Sequence, residues 1–270
     1  MSALPLPPPS LLHAEVLDHR SPAPKHWVLT LDAPEIAAAA RPGQFVMLRA
    51  AAGADPLLPR ALSLFHVDGE AGLIEVLFRV VGSGTRCLAA LDVGDFVTLW
   101  GPLGKSFSPP ESERLTLVGG GVGVPPLVFL AEVLAEEEPD REVIALLGAA
   151  TADYLVGVDE MRAVGARVQT ATDDGSAGQR GLVTTLLERS LVARPGPVLA
   201  CGPLPMLAAV ARIALETQTA AEVCMEAPMA CGVVACVGCT VPGSDGRHLR
   251  VCCEGPVFPA TAIDWEALST

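Results

Sequence analysis

Along the first third of the chain, apolar and polar positions alternate in short runs separated by turn-forming residues. The runs Leu12–Leu17, His26–Leu31, Phe45–Arg49, Ala61–Val67, Leu73–Val80 and Phe96–Trp100 have the period of half-buried strands. Pro42-Gly43, Asp68-Gly69, Gly82-Ser83-Gly84 and Gly101-Pro102 interrupt them. Short strands at that spacing predict a small antiparallel barrel, with Gly84–Leu91 as its one helix-like stretch. After Pro109-Pro110 the period lengthens. Leu115–Val118, Glu142–Leu147, Ala166–Ala171 and Val198–Ala200 read as buried strands, and helical patterns lie at Pro126–Glu137, Thr184–Arg189 and Pro205–Glu216. Strands alternating with helices predict a parallel, doubly wound sheet. The tail is rich in cysteine and poor in periodicity, so a metal or cluster is expected to hold it. The expected class is thus β followed by α/β, divided at 8–108, 109–220 and 221–270.

Composition narrows what such a chain can do. Half the residues are hydrophobic and 18% are charged, which permits a sizeable core and excludes global disorder. The 18 Lys and Arg face 31 Asp and Glu, for a net charge of −13, and no basic run is present. Nucleic acid and anionic membrane are therefore disfavoured as partners, since both need a basic face. The uncharged run Leu115–Ala131 is broken by glycines and prolines, and a bilayer helix takes about 20 apolar residues. Met1–Ser10 lacks a basic start and is interrupted by prolines, so it does not read as a signal peptide. A cytoplasmic protein is expected. In that reducing compartment cysteines serve as ligands, catalysts or buried thiols more often than as disulfides.

Cys224, Cys231, Cys236, Cys239, Cys252 and Cys253 crowd the tail. The order Cys231-x4-Cys236-x2-Cys239, followed at a distance by Cys252, is that of plant-type [2Fe–2S] ligation, with a shorter last interval. Gly and small residues between them let four thiolates converge. A structural zinc site is the alternative, although zinc favours paired C-x2-C knuckles and one such pair exists here. Cys253 adjoins Cys252 with its side chain directed away, and Cys224 reads as core.

A second group suits a flavin dinucleotide. Arg60 offers a planar fork to pyrophosphate, and Ser63, beyond Ala61 and Leu62, can reach a ring edge. Leu77-Phe78-Arg79 and the turn Gly82-Ser83-Gly84-Thr85 add to it, because the glycines free the backbone to approach phosphate. An exposed strand end is the alternative for Arg60–Ser63 alone. The stretch Gly119–Gly123, with Gly120, Gly121 and Gly123, lies between a strand and a helix as a dinucleotide site does, but close helix–sheet packing would use the same glycines. Cys201-Gly202 follows a strand at the ligand-binding end of such a sheet, and a buried thiol is the competing reading. His13, His19, His26, His66 and His248 show no metal-ligand spacing and read as ordinary histidines.

With these pieces in this order, the chain resembles the ferredoxin-reductase superfamily, and within it the electron-transfer subunits of class 1B dihydroorotate dehydrogenase. The resemblance runs from about His13 to Trp265. It rests on Arg60-Ala61-Leu62-Ser63, Arg79 with Gly84-Thr85, Gly101-Pro102-Leu103-Gly104 and the glycines at 119–123. Thr172-Asp173-Asp174-Gly175-Ser176, Cys201-Gly202-Pro203, Met229-Ala230-Cys231-Gly232 and Cys252-Cys253-Glu254-Gly255-Pro256-Val257-Phe258 add to it. The Gly-Pro-Val-Phe ending is the specific part. Departures are Leu62 where many relatives have Tyr, Ala61 for Pro, Lys105-Ser106 for Asn-Gly, and Cys253 for a charged residue.

The resemblance implies FAD on the barrel, held by Arg60, Ala61, Leu62, Ser63, Leu77, Phe78, Arg79, Gly84 and Thr85. It implies NAD as substrate on the α/β domain and a cluster on Cys231, Cys236, Cys239 and Cys252. It also implies a catalytic subunit with FMN that oxidises dihydroorotate in pyrimidine biosynthesis, in a heterotetramer of two copies of each chain. Flavin exchanges hydride with nicotinamide and passes electrons singly, and a cluster takes them one at a time, so a chain holding both converts between the two. The nearest rival is the small subunit of an NAD(P)H:ferredoxin oxidoreductase, in which the first cluster ligand is typically aspartate rather than the Cys231 found here. A zinc-stabilised, non-enzymatic binding module is the rival of another class, and a colourless preparation would favour it.

Overall fold

The computed structural model describes residues 9–50 and 56–268. Residues 1–8, which hold most of the stretch read for a signal peptide and the expected first residue of the barrel segment, lie outside the described residues. The first strands are β1 (Ser10–Ala23), β2 (His26–Asp32), β3 (Phe45–Ala50), β4 (Arg60–Asp68), β5 (Leu73–Arg79) and β6 (Phe96–Leu103). They close as an antiparallel barrel in the order β1-β2-β5-β4-β3-β6. Alternation along each strand sends one face inward. Val16, Leu29, Leu31, Val46, Leu48, Leu64, Ile74, Val76, Val97 and Leu99 are all fully buried there. The helix α1 (Pro34–Ala39), too short to show a period in the sequence, starts at a proline and buries Ile36 in the same core. Helix α2 (Ser83–Ala89) follows β5 as expected.

The second half contains β7 (Arg114–Gly120), α3 (Pro125–Glu137), β8 (Glu142–Ala149), α4 (Val158–Ala163), β9 (Arg167–Thr172) and β10 (Gln179–Arg180). It continues with α5 (Val183–Ala193), β11 (Val198–Cys201), α6 (Leu204–Glu216) and β12 (Ala221–Cys224). Strands β10-β9-β8-β7-β11-β12 lie parallel side by side. Leu115, Leu117, Ala145, Leu147 and Leu199 pack under α3 and α4, while Val118, Ile144, Leu146, Val198 and Ala200 pack under α5 and α6. Burial on both faces explains the unbroken apolar runs.

The tail adds the hairpin β13 (Thr240–Pro242) and β14 (His248–Arg250), and then β15 (Val257–Pro259), which pairs antiparallel with β12 as the seventh strand of the sheet. The sheet therefore continues past 220, where the sequence had suggested a division. Val241, Leu249, Val251 and Ile263 are buried in the cluster of side chains that covers the α5–α6 face, joined by Phe45, Met47 and Leu103 of the barrel. Apolar packing also helps hold the tail, which the sequence pattern was too short to reveal. No helix among the described residues is long and apolar enough to cross a membrane.

Helix α3 joins barrel to sheet. Phe129 is 4% exposed and belongs to the barrel core, and Glu132 hydrogen-bonds His66 of β4. Phe129→Ala is expected to cost about 3–5 kcal/mol, read as a fall in the denaturant midpoint of the intact chain.

Candidate functional site

Two cavities open side by side between barrel and sheet. The first, about 470 Å³, is walled on the barrel side by Arg60, Ala61, Leu62 and Ser63 of β4, by Leu77, Phe78 and Arg79 of β5, and by Thr85 of α2. Every residue expected to hold FAD lines it except Gly84. Gly84 stands behind: a side chain there would collide with the Arg60 guanidinium, so the glycine is what lets Arg60 lie across the turn. Arg60 is further fixed by donating from Nη1 to the carbonyl oxygens of Leu58 at 2.8 Å and Pro59 at 3.0 Å. Thr85 Oγ1 accepts from the backbone N–H of Val81 at 2.9 Å and of Gly82 at 3.1 Å, which shapes the turn. Two guanidiniums facing apolar side chains suit an anionic pyrophosphate that carries a flat ring system. The residues present fit FAD.

The opposite wall was not anticipated. Cys224, Met225, Glu226, Ala227, Pro228 and Met229, the run leading out of β12 toward Cys231, line the same cavity. Desolvation raises the pKa of the Glu226 carboxyl above the ordinary glutamate value, and Arg79 opposes that shift. A sequence signal existed in the proximity of this run to the cysteines, but only folding turns it toward β4 and β5.

The second cavity, about 580 Å³, lies over the carboxyl ends of the parallel strands, where open α/β sheets bind ligands. Gly120 and Gly121 line it, as expected, together with Gly148, Ala149, Ala150, Asp173 and Met206. Gly123, Cys201 and Gly202 do not. An added Cβ at Gly123 would come within 2.5 Å of the backbone of Cys201 and Gly202, so Gly123 serves close packing of the α3 turn on the β11 loop. Cys201 is fully buried and pairs in register with Cys224, and hydrogen bonding to Cys224 together with burial pushes its thiol well above the usual range. The buried-thiol reading describes its surroundings. Backbone N–H groups of Asp173 and Asp174 donate to the carbonyls of Ala149 and Ala150 at 3.1 and 3.3 Å, locking the acidic turn to the end of β8.

Barrel residues enter this cavity too. Arg79 lines both cavities, and His26, its register partner on β2, lines the second. His26 is buried, its Nδ1 lies 2.8 Å from the Pro24 carbonyl, and its ring meets Tyr154 at 5.8 Å between centroids. Burial lowers its pKa, so the ring is neutral at pH 7 with Nδ1 as the donor. The sequence had shown only a strand-start histidine and the chain's single tyrosine.

The four expected ligand cysteines occupy one loop and the end of the hairpin. Cys231 and Cys236 interact through their thiols, as do Cys239 and Cys252. Among the described residues no three such side chains are gathered around one point. Two pairs are the arrangement of a two-iron cluster, in which each iron takes two protein ligands. Backbone N–H groups of Val233 and Cys236 donate to Cys231 Sγ, each at 3.4 Å. The Gly238 N–H, then Cys231, bring the Cys236 thiol down to about 7, favouring thiolate. Cys252 is pushed up to about 12, by burial first and then by Cys239. Neighbouring like groups raise a thiol in this way until a metal takes its proton's place. Val234 and Val237 adopt positive φ of 72° and 49°, the backbone cost of turning several amides inward. Trp100 Nε1 donates to the Cys231 carbonyl at 3.2 Å, and Gly232 lies against Met47 and Leu103, so the loop is fastened to the barrel. The residues present fit a [2Fe–2S] cluster. Cys253 Sγ turns to the Arg250 carbonyl at 3.9 Å.

Comparison with known proteins agrees with this layout. Residues 18–107 match the oxidoreductase FAD-binding domain, 117–212 the oxidoreductase NAD-binding domain, and 226–264 the iron–sulfur cluster binding domain of dihydroorotate dehydrogenase B. The chain is 38% identical over 258 residues to the dihydroorotate dehydrogenase B (NAD(+)) electron transfer subunit of Desulforamulus reducens, covering 94% of this chain and 98% of that protein. It is 41% identical to the subunit of the same name from Bacillus caldolyticus, covering 92% and 96%. Among solved structures, one of an NADH-dependent reduced ferredoxin-NADP oxidoreductase superposes with a TM-score of 0.85 at 29% identity, over 100% of this chain and 93% of that one.

Replacement of Cys231, Cys236, Cys239 or Cys252 by Ser is expected to abolish the cluster and weaken any partner complex, whereas Cys253→Ser should do neither. Iron and labile sulfide assays on each purified variant decide it; normal content in Cys236→Ser would sink the assignment.

Proposed function

The chain belongs to the family of dihydroorotate dehydrogenase B electron-transfer subunits, and on that premise we propose that it carries electrons from dihydroorotate oxidation on a catalytic subunit to NAD+. One observation carries the reading: the run from Cys224 to Met229 walls the cavity that fits FAD and leads directly into the loop of Cys231 and Cys236. A flavin supplies the exchange between single electrons and hydride when bound.

The chain's own residues do the rest. Arg60 and Arg79 would neutralise pyrophosphate, and the Gly84 turn leaves room for the first of them. Gly120 and Gly121 admit the nicotinamide dinucleotide close to the strand ends, and Arg79 stands at the wall common to both cavities. Met225 is held by donating its N–H to the Pro256 carbonyl at 2.8 Å, which keeps the cavity wall in place beside the tail. Cys231, Cys236, Cys239 and Cys252 would hold the cluster on the barrel end.

The partner is read as an FMN-containing catalytic subunit, two copies pairing with two of this chain, in the cytoplasm. Support comes from the surface of the cluster loop. Val233, Val234 and Val237 are 46%, 40% and 59% exposed around Cys236, an apolar patch of the kind interfaces cover. The small-subunit reading as a ferredoxin oxidoreductase has the structural likeness described above in its favour, but Cys231 in the first ligand position and the two curated relatives favour dihydroorotate.

Alone, the chain should oxidise NADH with an artificial acceptor and show no dihydroorotate-dependent NAD+ reduction, which should return when a catalytic subunit is added. Reduction of NAD+ by dihydroorotate with the isolated chain would defeat the proposal.

NADH should be preferred over NADPH. The end of β8 and the turn after it, Gly148 to Asp153, offer no base to a 2′-phosphate, and Asp173 faces the same cavity. Repulsion of the dianion should cost about a kcal/mol or more, roughly tenfold in affinity. Equal kcat/KM with the two nucleotides would contradict this.

A further inference from the structure

Transfer between a cluster and a nicotinamide through a flavin has a proton requirement that the cofactors do not meet themselves. A cluster delivers electrons singly and without protons. The flavin must gather two electrons and one proton before it can give hydride, and the hydride carries both electrons and that proton away. One proton per turnover must therefore reach the flavin from a protein group or from solvent. In the reverse direction one must leave.

The titratable side chains lining the first cavity are Arg60, Arg79, Cys224 and Glu226. A guanidinium does not give up its proton. Cys224 is 2% exposed and its Sγ is directed at the Gly43 carbonyl, 4.0 Å away, with the Cys201 thiol beneath it. Thr85 has its hydroxyl committed to Gly82, to whose carbonyl it donates at 3.1 Å. Glu226 differs from all of these. Its side chain is exposed into the cavity, and no hydrogen bond or ion pair fixes its carboxyl among the described residues. The surrounding protein nevertheless desolvates it enough to raise its pKa, even with Arg79 opposing. An apolar ring system filling the cavity would strengthen that desolvation.

We propose that Glu226 is the group through which the flavin held in this cavity exchanges its proton with solvent, an inference that rests on the flavin reading of that cavity. As two electrons arrive one by one from the cluster, the carboxyl O–H of Glu226 breaks and a flavin N–H forms. That hydrogen then leaves with both electrons as hydride, forming the C–H bond of NADH. The Glu226 carboxylate takes a replacement proton from water at the cavity mouth. Running backward, the carboxylate accepts the flavin proton as electrons depart to the cluster.

The direction of the pKa shift sets the pH dependence. Glu226 is protonated up to a pH above that of an ordinary glutamate, so its donor form persists there and is lost as pH rises through the raised value. Cluster-to-NAD+ transfer should fall across that limb. Hydride transfer from NADH to the flavin needs no proton from the protein and should not show it.

The experiment uses the holo chain and its Glu226→Gln and Glu226→Asp variants. Glu226→Gln should retain FAD and iron and should bleach with NADH at the wild-type rate in stopped flow. Passage of electrons from NADH through the flavin and cluster to a one-electron acceptor uses the carboxylate form of Glu226 and should rise with pH through the raised value. In Glu226→Gln it should slow by about 10–100-fold, a general acid–base effect, and lose that limb. Glu226→Asp should recover part of the rate. Independently of turnover, the infrared difference spectrum of flavin reduction should contain a carboxyl band that is absent from Glu226→Gln. Wild-type transfer rates and an unchanged pH profile in Glu226→Gln would overturn the proposal, as would loss of FAD from both variants, which would make Glu226 structural. Absence of FAD from the wild-type chain would instead overturn the reading of the cavity.

Discussion

The run from Cys224 to Cys231 has to satisfy three neighbours at once, and the arrangement of the molecule follows from that. It begins as the last parallel strand of the sheet, continues as one wall of the flavin cavity, and ends in the loop that Trp100 fastens to the barrel. A path this short cannot reach all three unless barrel, sheet and tail are packed together. Accordingly, Phe45, Met47 and Leu103 of the barrel, Val223 of β12 and Val251 and Phe258 of the tail share one core. The strand β15 then returns to β12, so that β12 is paired on both sides and the sheet gains one antiparallel strand from the tail.

Charge is distributed against the grain of the composition. The chain carries a net −13, yet the first cavity presents two guanidiniums to one carboxylate. An acidic surface keeps polyanions away, and local Arg60 and Arg79 readmit small ones where shape permits. Arg79 stands on both cavity walls with His26 beside it and Glu226 across from it, so ligands in the two sites share one electrostatic environment. Neutral His26 adds shape and a hydrogen-bonding edge there without adding charge.

The glycines divide by what they make possible. Gly120 and Gly121 leave the second cavity open, whereas Gly123 lets two backbones touch and Gly84 lets a side chain lie flat. All four look alike in sequence. The same holds for the cysteines: Cys201 and Cys224 are buried partners of adjacent strands, while Cys236 is exposed at the surface.

Local pattern was enough for much of this protein. Alternation over β1 to β6 and the longer period from β7 to α6 are properties of neighbouring residues, and ligand spacing in the tail is a property of one loop, so barrel, doubly wound sheet and cluster were legible. Short elements escaped because a few residues carry no period: α1, α4 and β10, and also β12 to β15, owe their form to what they pack against. The sites were legible as far as single segments went, which is why Arg60 to Ser63 and Leu77 to Arg79 reach the cavity as expected. Tertiary structure alone decided that Glu226 faces them, that Arg79 serves two cavities, that His26 meets Tyr154, and that Cys201 turns inward. Those facts depend on contacts between residues far apart in the chain, whose distance no periodicity encodes and only the packing of the folded core fixes.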